Sequence, residues 1–288
     1  MISFFDKLNE AMQQNNSLLC VGLDSDFDKI PECLKKGKDK SGGFSSRQRG
    51  EMVLKFNQAI IDATKDVVCA YKPNTAFYEA LGGRGIEVLK QTIAYIRERA
   101  PLIPVILDAK RGDIGSTNAA YVQFAFSYLK ADAITLNPYL GKEALIPFLD
   151  QQEKGIFVLC RTSNPGAGEF QDIKDAQSEP LYKKVARRVT AQWNTNGNCG
   201  LVVGATFSEE LKEVRSLVGD MPILIPGIGT QGGDVEKTVK AGLNILHQGI
   251  IINSSRGIIF ASPNEDFADA AKAEAIKIRE EINKFRLL

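Results

Sequence analysis

Eight short, strand-like apolar runs, separated by stretches of helical periodicity, limit what this chain can fold into. The runs are Leu18–Leu23, Val67–Tyr71, Pro104–Leu107, Ala133–Leu136, Ile156–Leu159, Gly200–Val203, Ile223–Ile225 and Asn244–Ile252. We expect the last strand to be shorter than its apolar run. Between the runs, apolar residues recur at spacings of three and four, which is typical of helices. These helical segments are Met52–Ala63, Ile86–Arg99, Asn118–Leu129, Leu181–Trp193, Glu209–Val218, Val235–Ala241 and Phe267–Phe285, with a weaker pattern at Lys142–Leu149.

This alternation predicts an α/β fold, the (β/α)8 or TIM barrel. Strands that are apolar nearly throughout belong to a sheet buried on both faces, and strict alternation with helices indicates parallel βαβ units. Eight such units in 288 residues match this barrel as one domain, residues 1–288. An open doubly wound sheet is the alternative, but it usually has a G-x-G-x-x-G turn where this chain has Gly22-Leu23-Asp24-Ser25-Asp26. The polar, basic stretch Lys35–Gly50 is interpreted as a solvated insertion after the first strand.

Composition and charge exclude several classes of function. The formal net charge is +1, so there is no basic surplus to attract nucleic acid. No apolar run reaches the roughly 18 residues that a membrane span needs, and the first residues lack a signal-peptide pattern. The five cysteines are odd in number and lack C-x-x-C spacing, which indicates buried thiols in a reducing cytosol. We therefore expect a cytoplasmic protein without nucleic-acid or membrane partners. Its single histidine, His247, lies in or beside an apolar run, which favours a structural role.

Residues able to do chemistry follow several of the predicted strands. In these barrels, catalytic side chains come from the carboxyl ends of several strands. Asp24 directly follows the first run, Lys72 directly follows the second, and Asp-Ala-Lys-Arg-Gly-Asp, from Asp108 to Asp113, follows the third. Because side chains alternate along a strand, Asp108 and Lys110 are expected to point to the same side. Taken alone, the segment also fits a solvated Asp–Lys pair and an acid near a helix start.

The loops after the last two strands have the features of a phosphate site. The segment Gly227–Gly233 contains four glycines and precedes a helix, so its backbone N–H groups can approach an anion closely. Arg256, after the eighth strand, adds a fork-shaped donor suited to phosphate oxygens. These loops are the usual phosphate site of such barrels. A glycine-rich turn beside a surface arginine is the alternative interpretation.

Over essentially its whole length, the chain resembles the orotidine 5′-monophosphate decarboxylases of the longer-chain bacterial branch. The family's catalytic pattern is a lysine followed later by D-x-K-x-x-D. Lys72, Asp108, Lys110 and Asp113 match it, and the segment from residue 107 to 118 is the most specific part of the match. Lys72 also resembles a ribose contact of the family.

The resemblance implies substrate-binding roles for further residues. Asp24 resembles a ribose contact of the family. The run Arg161–Gly168 resembles the loop that closes over the pyrimidine, with Ser163 as the base contact. Gln231 and Arg256 resemble the phosphate ligands.

The resemblance also implies an assembly and a reaction. Asp113, Ile114 and Thr117 resemble residues that reach into the partner's site, which implies an obligate homodimer with shared active sites. The implied reaction is loss of CO₂ from carbon 6 of orotidine 5′-monophosphate to give uridine 5′-monophosphate, the last step of de novo pyrimidine nucleotide synthesis. It needs no cofactor and no metal. Lys110 is the expected proton donor, because an ammonium beside carbon 6 both stabilises the developing charge and supplies the proton.

Two other functions stay open at this point. A sugar-phosphate aldolase or decarboxylase of the same barrel superfamily shares D-x-K-x-x-D but uses Mg²⁺. Such relatives place an acidic metal ligand near the end of the second strand, where this chain has Lys72, which would repel a metal. A barrel that only binds a nucleotide or a partner is the other candidate. It would not need to keep Lys110 among carboxylates.

Overall fold

Eight parallel strands form the centre of the molecule in the computed structural model, which describes residues 2–37, 42–228 and 234–286. The strands are β1 (Leu19–Leu23), β2 (Ala70–Pro73), β3 (Ile106–Arg111), β4 (Ala133–Leu136), β5 (Gly155–Arg161), β6 (Cys199–Val203), β7 (Ile223–Pro226) and β8 (Ile250–Ser254). Each predicted strand is present, and β8 is shorter than its apolar run, as expected.

The order of the strands produces a barrel. They lie side by side as β2-β1-β8-β7-β6-β5-β4-β3, and neighbouring strands are parallel. Parallel bridges from Tyr71 to Val105 and from Asn74 to Asp108 join β2 to β3, the two ends of this order. The sheet therefore curls into a nearly closed barrel. The predicted (β/α)8 architecture is confirmed, and the doubly wound alternative is excluded.

Helices alternate with the strands on the outside of the barrel. They are α1 (Phe4–Gln14), α2 (Ser46–Thr64), α3 (Thr75–Glu79), α4 (Gly83–Arg99), α5 (Gly115–Val122), α6 (Gly141–Leu149), α7 (Gly168–Gln171), α8 (Leu181–Arg188), α9 (Ser208–Val218), α10 (Val235–Gly242), α11 (Arg256–Ile259) and α12 (Phe267–Arg286). Wider π-helical turns, Gln123–Tyr128 and Val189–Trp193, continue α5 and α8. In the ranges that the structure describes, no helix combines the length and apolar character needed to cross a bilayer.

Helix α1, which the helical periodicity described above did not predict, packs against the amino end of β5. The ring of Phe4 packs edge-on against Phe157 of β5, with centroids 5.7 Å apart. At Gly155, the first residue of β5, a Cβ atom would lie 2.3 Å from the Phe4 ring, so the close packing requires glycine there. The amino end of β5 is thus covered by an aromatic side chain.

The stretch Lys35–Gly50, interpreted as a solvated insertion, is largely exposed where it is described, but its last residues form the start of an outer helix. Helix α2 already begins at Ser46, and a capping box between Ser45 and Gln48 satisfies its first amides. Gly50 is buried against α4, where a Cβ atom would lie 2.8 Å from Arg84 Cγ. Residues 38–41 of the stretch lie outside the described residues.

His247 lies outside the strand, in an exposed turn that precedes β8. Its backbone is in the left-handed region at φ 55°, and its carbonyl accepts a hydrogen bond from Arg286 Nε at 3.0 Å. This turn leads into the amino end of β8. The cysteines are all free, and four are buried as expected: Cys20, Cys69, Cys160 and Cys199.

Candidate active site

A cavity of about 470 Å³ opens where the carboxyl ends of the strands meet. Its size suits a small-molecule ligand. Six of the predicted site residues line it, namely Asp24, Lys72, Asp108, Lys110, Ser163 and Arg256. They come from five separate segments of the chain, and the curvature of the barrel brings them together.

The carboxylate of Asp108 bridges two lysines in this cavity. Lys72 Nζ lies 2.9 Å from Asp108 Oδ2, and Lys110 Nζ lies 2.6 Å from Oδ1. The side chains of Lys72 and Asp108 are only 4% and 9% exposed, whereas that of Lys110 is 48% exposed. Lys110 is therefore the member of the array that a ligand reaches most easily.

Mutual attraction keeps the buried members of the array charged. Desolvation opposes the charge of Asp108, but Lys72 and Lys110 outweigh it and lower the pKa of the carboxyl group. Desolvation also opposes the charge of Lys72, but Asp108 and Asp24 raise its pKa above the ordinary lysine value. Across neutral pH, Asp108 is an anion and Lys72 a cation.

Two polar side chains complete the hydrogen bonding of Asp108. Thr135 Oγ1 donates to Oδ1 at 2.9 Å, and Asn74 Nδ2 approaches Oδ2 at 3.4 Å. Each carboxylate oxygen thus faces one lysine and one neutral donor. This arrangement fixes the orientation of the carboxylate.

The backbone around Lys110 departs from a regular strand. Lys110 has φ 46°, in the left-handed region that lysine rarely adopts. The register between β3 and β4 shifts between Leu107 and Arg111. The strand that carries Asp108 and Lys110 therefore contains a bulge, a feature found often beside active sites.

The remaining predicted residues around the cavity have distinct positions. Asp24 follows β1, and its Oδ1 atom is buried without a hydrogen-bond partner among the described residues, so it can accept from a ligand hydroxyl. Arg256 begins α11 directly beyond β8. Ser163 lies in the loop that leaves β5.

Two predicted residues, Asp113 and Thr117, do not line this cavity, and a third, Gln231, lies outside the described residues. Gln231 falls within residues 229–233, outside the described part of the chain, so its prediction stays a prediction. Asp113 and Thr117 lie in the segment from β3 into α5 and do not contribute to the described lining. The backbone of Asp113 is fixed by Asn118, whose amide group exchanges hydrogen bonds with it at 3.1 and 2.6 Å.

The model of a known protein family matches residues 17–271, which include all eight strands, and that family is described as "Orotidine 5'-phosphate decarboxylase / HUMPS family". The chain belongs to this family. An orotidine 5′-phosphate decarboxylase of Cellvibrio japonicus is 50% identical over 285 residues, which cover 99% of this chain and 100% of that one. The resemblance inferred from the D-x-K-x-x-D pattern is confirmed.

Solved structures of related proteins have the same fold. The OMP decarboxylase of Leishmania donovani superposes with a TM-score of 0.82 at 38% identity, covering 100% of both chains. The UMP synthase of the same organism gives a TM-score of 0.84 at 39% identity. That alignment covers 99% of this chain but 57% of the synthase, so this chain spans little more than half of the longer protein.

Several cavity residues of this decarboxylase-family chain were not assigned roles from sequence. Thr135 is the one polar residue of β4, Asn253 lies near the end of β8, and both line the cavity. The Oδ1 atom of Asn253 is buried without a hydrogen-bond partner in the described structure. A search for lone polar residues in apolar runs would have found Thr135, whereas Asn253 follows the eighth run. Asn74 is two residues beyond Lys72, a spacing that places side chains on the same side of a strand.

The loop that carries Ser163 is held by Arg161 at the end of β5. The guanidinium group of Arg161, 4% exposed, lies 4.0 Å from the ring centre of Phe207 and donates to Gln171 and Asp172 at 3.3 and 3.2 Å. Gln171 Oε1 also accepts from the Thr162 amide at 2.9 Å. These contacts tie both ends of the loop together beside the cavity.

Proposed function

We propose that this chain catalyses the decarboxylation of orotidine 5′-monophosphate to uridine 5′-monophosphate, the last step of de novo pyrimidine nucleotide synthesis. The observation that carries the proposal is the array of Lys72, Asp108 and Lys110 in the cavity, with Lys110 as its accessible member. Membership of the family and 50% identity to a decarboxylase over 285 residues support it.

The reaction requires a cation at the carbon that loses CO₂. The bond between carbon 6 and the carboxylate breaks, CO₂ leaves, and the electron pair stays on carbon 6. Lys110 then donates a proton to carbon 6, giving uridine 5′-monophosphate, and regains a proton from water. In this role the ammonium stabilises the developing carbanion before it protonates it.

Asp108 and Lys72 support this chemistry by holding the charges in place. Contacts of 2.6 and 2.9 Å fix the two ammonium groups on opposite oxygens of one carboxylate. Because these charges are arranged before the substrate reacts, little reorganisation is needed as charge develops on carbon 6. The side chains of this array supply the proposed chemistry without a cofactor.

Substrate binding is proposed to use the rest of the cavity. Arg256 and Gln231 bind the phosphate, Asp24 and Lys72 bind the ribose, and Ser163 contacts the pyrimidine. The position of Arg256 at the end of β8 supports its role, because loops after the last two strands are the usual phosphate site of these barrels. The unpartnered Oδ1 of Asp24 supports a contact with a sugar hydroxyl.

We further propose a homodimer in which Asp113 and Thr117 reach the partner's active site. Large apolar side chains near this segment support an interface: Ile114 is 59% exposed and Tyr139, after β4, is 82% exposed. Leu140 and Ile146, in and beside α6, are also exposed, and α6 packs against α5. A cluster of exposed apolar side chains is typical of a protein–protein contact.

The chain is further proposed to act as one cytoplasmic catalytic domain, without nucleic-acid or membrane partners. The family match from residue 17 to 271 spans the barrel and supports a single domain. The free, buried thiols are typical of a reducing compartment.

Product analysis tests the proposed reaction. Purified enzyme incubated with orotidine 5′-monophosphate in D₂O containing EDTA should release CO₂ and form an equal amount of uridine 5′-monophosphate with deuterium at carbon 6. A magnesium-dependent enzyme of the same barrel type would instead lose activity with EDTA and turn over a sugar phosphate when Mg²⁺ is restored. Bound nucleotide that is recovered unchanged would favour a pure binding protein.

A further inference from the structure

We infer that Thr135 is a positioning residue for this reaction, because its hydroxyl group holds both the Asp108 carboxylate and the bent backbone that carries Lys110. The inference rests on the proposed decarboxylation. It assigns to a buried residue of β4 the task of keeping the proton donor in place.

The bulge in β3 lies directly opposite Thr135. The ladder between β3 and β4 pairs Leu107 with Ile134, and its next pair joins Arg111 to Leu136. Three residues of β3 therefore face Thr135 alone. In this interval the Ala109 and Lys110 amides donate to Thr135 Oγ1, at 3.1 and 3.0 Å. The side chain thus replaces the backbone acceptor that a regular ladder would offer.

The hydroxyl of Thr135 is fully used by these contacts. It accepts from two amides and donates its proton to Asp108 Oδ1 at 2.9 Å. The residue is 1% exposed, so water does not compete with these bonds. One buried hydroxyl therefore connects the backbone of Lys110 to the carboxylate that its ammonium group contacts.

Loss of the hydroxyl would allow the backbone of Lys110 to leave its left-handed conformation. The left-handed φ of 46° is unfavourable for lysine and persists only where the surroundings impose it. Without Thr135 Oγ1, the amides of Ala109 and Lys110 would lose their acceptor, and Asp108 Oδ1 would lose its neutral donor. We expect the bulge to relax and the Lys110 ammonium group to move away from Asp108.

The matched pair Thr135→Val and Thr135→Ser tests this role. Valine keeps the shape and removes the hydroxyl, and serine keeps the hydroxyl and removes the methyl group. Displacing a catalytic group by about 1 Å costs on the order of 100-fold in rate. We expect kcat to fall by about this factor in Thr135→Val, with binding of uridine 5′-monophosphate changed by less than about threefold. Thr135→Ser should keep kcat within about threefold of the wild type.

Thr64→Val is the control for loss of a buried hydroxyl. Thr64 is also fully buried, and its Oγ1 donates to the Ile60 carbonyl at 2.7 Å on the outer helix α2. This variant should keep kcat within about threefold of the wild type. Equal losses of kcat in Thr64→Val and Thr135→Val would overturn the positioning role, as would an unchanged kcat in Thr135→Val. If Thr135→Val does not fold, Thr135→Ala and Thr135→Ser give the same comparison, because they differ only in the hydroxyl.

Crystal structures of the wild type and Thr135→Val separate this inference from the proposed function. We expect the variant to show Lys110 outside the left-handed region or its Nζ well beyond 2.6 Å from Asp108 Oδ1. A variant that keeps both features would overturn the positioning role, whatever the wild-type enzyme turns over. A wild type that does not consume orotidine 5′-monophosphate would refute the proposed function, while the crystallographic comparison still decides the role of Thr135.

Discussion

Asp108→Asn removes the negative charge held between Lys72 and Lys110 while keeping the shape of the side chain. The variant leaves the Lys72 ammonium group, on a side chain 4% exposed, without its nearest anion. Removing one partner of a buried ion pair typically costs about 3–5 kcal/mol, because a buried charge loses its compensation. Asp24 remains as a second carboxylate that raises the pKa of Lys72. We therefore expect the free energy of unfolding to fall by the lower value, about 3 kcal/mol.

The pH dependence of stability should distinguish the variant from the wild type. In the wild type the pKa of Asp108 is lowered and that of Lys72 is raised, so the pair stabilises the fold between about pH 4 and pH 10. Its contribution is lost as acid protonates Asp108 and as alkali deprotonates Lys72. In Asp108→Asn, burial without that partner should bring the pKa of Lys72 below its unfolded value. The unfolded variant then binds more protons, so its stability should rise with pH up to about pH 10.

Urea unfolding followed by the fluorescence of Trp193, at one protein concentration and at pH 7 and pH 9, measures both effects. Asp62→Asn is the control, because it breaks the ion pair with Arg99, whose members are 40% and 50% exposed, and should cost less than about 1 kcal/mol. The double variant Lys72→Met/Asp108→Asn should recover most of the loss, since no buried charge then lacks a partner. An Asp108→Asn protein as stable as the Asp62→Asn control, or one whose stability is flat with pH, would refute the assignment of a buried, paired Lys72.

Two further predictions concern the dimer and the phosphate site. Lys110→Ala and Asp113→Ala should each be nearly inactive alone but regain activity when mixed, because a heterodimer with shared sites has one site without either substitution. If mass spectrometry shows subunit exchange but activity is not recovered, Asp113 acts within its own chain. Arg256→Ala should lower kcat/KM for orotidine 5′-monophosphate by about 30- to 150-fold, which corresponds to the loss of a charge-assisted bidentate contact. The slow turnover of the nucleoside orotidine should barely change. Equal losses for nucleotide and nucleoside would contradict a phosphate contact.

Much of the fold could be predicted from sequence because its elements are strongly periodic. Each strand is a short apolar run, since both faces of the barrel sheet are buried. The residue at which β3 ends was less predictable. The apolar run ended at Leu107, yet the strand continues to Arg111, because Asp108 and Lys110 face a polar cavity rather than the core. Helix α1 has the same kind of pattern, because its buried residues Phe4, Leu8, Ala11 and Met12 recur at spacings of three and four.

The candidate site was predictable where a motif or the end of a predicted strand marks it. Asp108 and Lys110 are close in sequence, and Lys72 comes from a strand end, so motif and topology point to the same place. Contacts between distant parts of the chain could not be predicted in this way. The role of Thr135 depends on the bulge in β3, which is set by the pairing between β3 and β4. A local sequence pattern does not predict that pairing. Asn253 directly follows the predicted eighth run, and its polar neighbours Ser254 and Ser255 give no local signal that its side chain enters the cavity.

Turnover of orotidine 5′-monophosphate by the wild type, Lys110→Ala and Lys130→Ala, measured side by side in EDTA, tests the central claim most directly. Lys130 is the matched control, because it is an exposed lysine with a left-handed backbone, φ 61°, and does not line the described cavity. The wild type and Lys130→Ala should decarboxylate the nucleotide at similar rates. Lys110→Ala should be nearly inactive, although it should still bind uridine 5′-monophosphate and show the cooperative thermal unfolding of a folded protein. A wild type without turnover would contradict the claim that this chain is a decarboxylase. A folded Lys110→Ala protein that keeps more than a few per cent of the activity would contradict the claim that Lys110 supplies the proton.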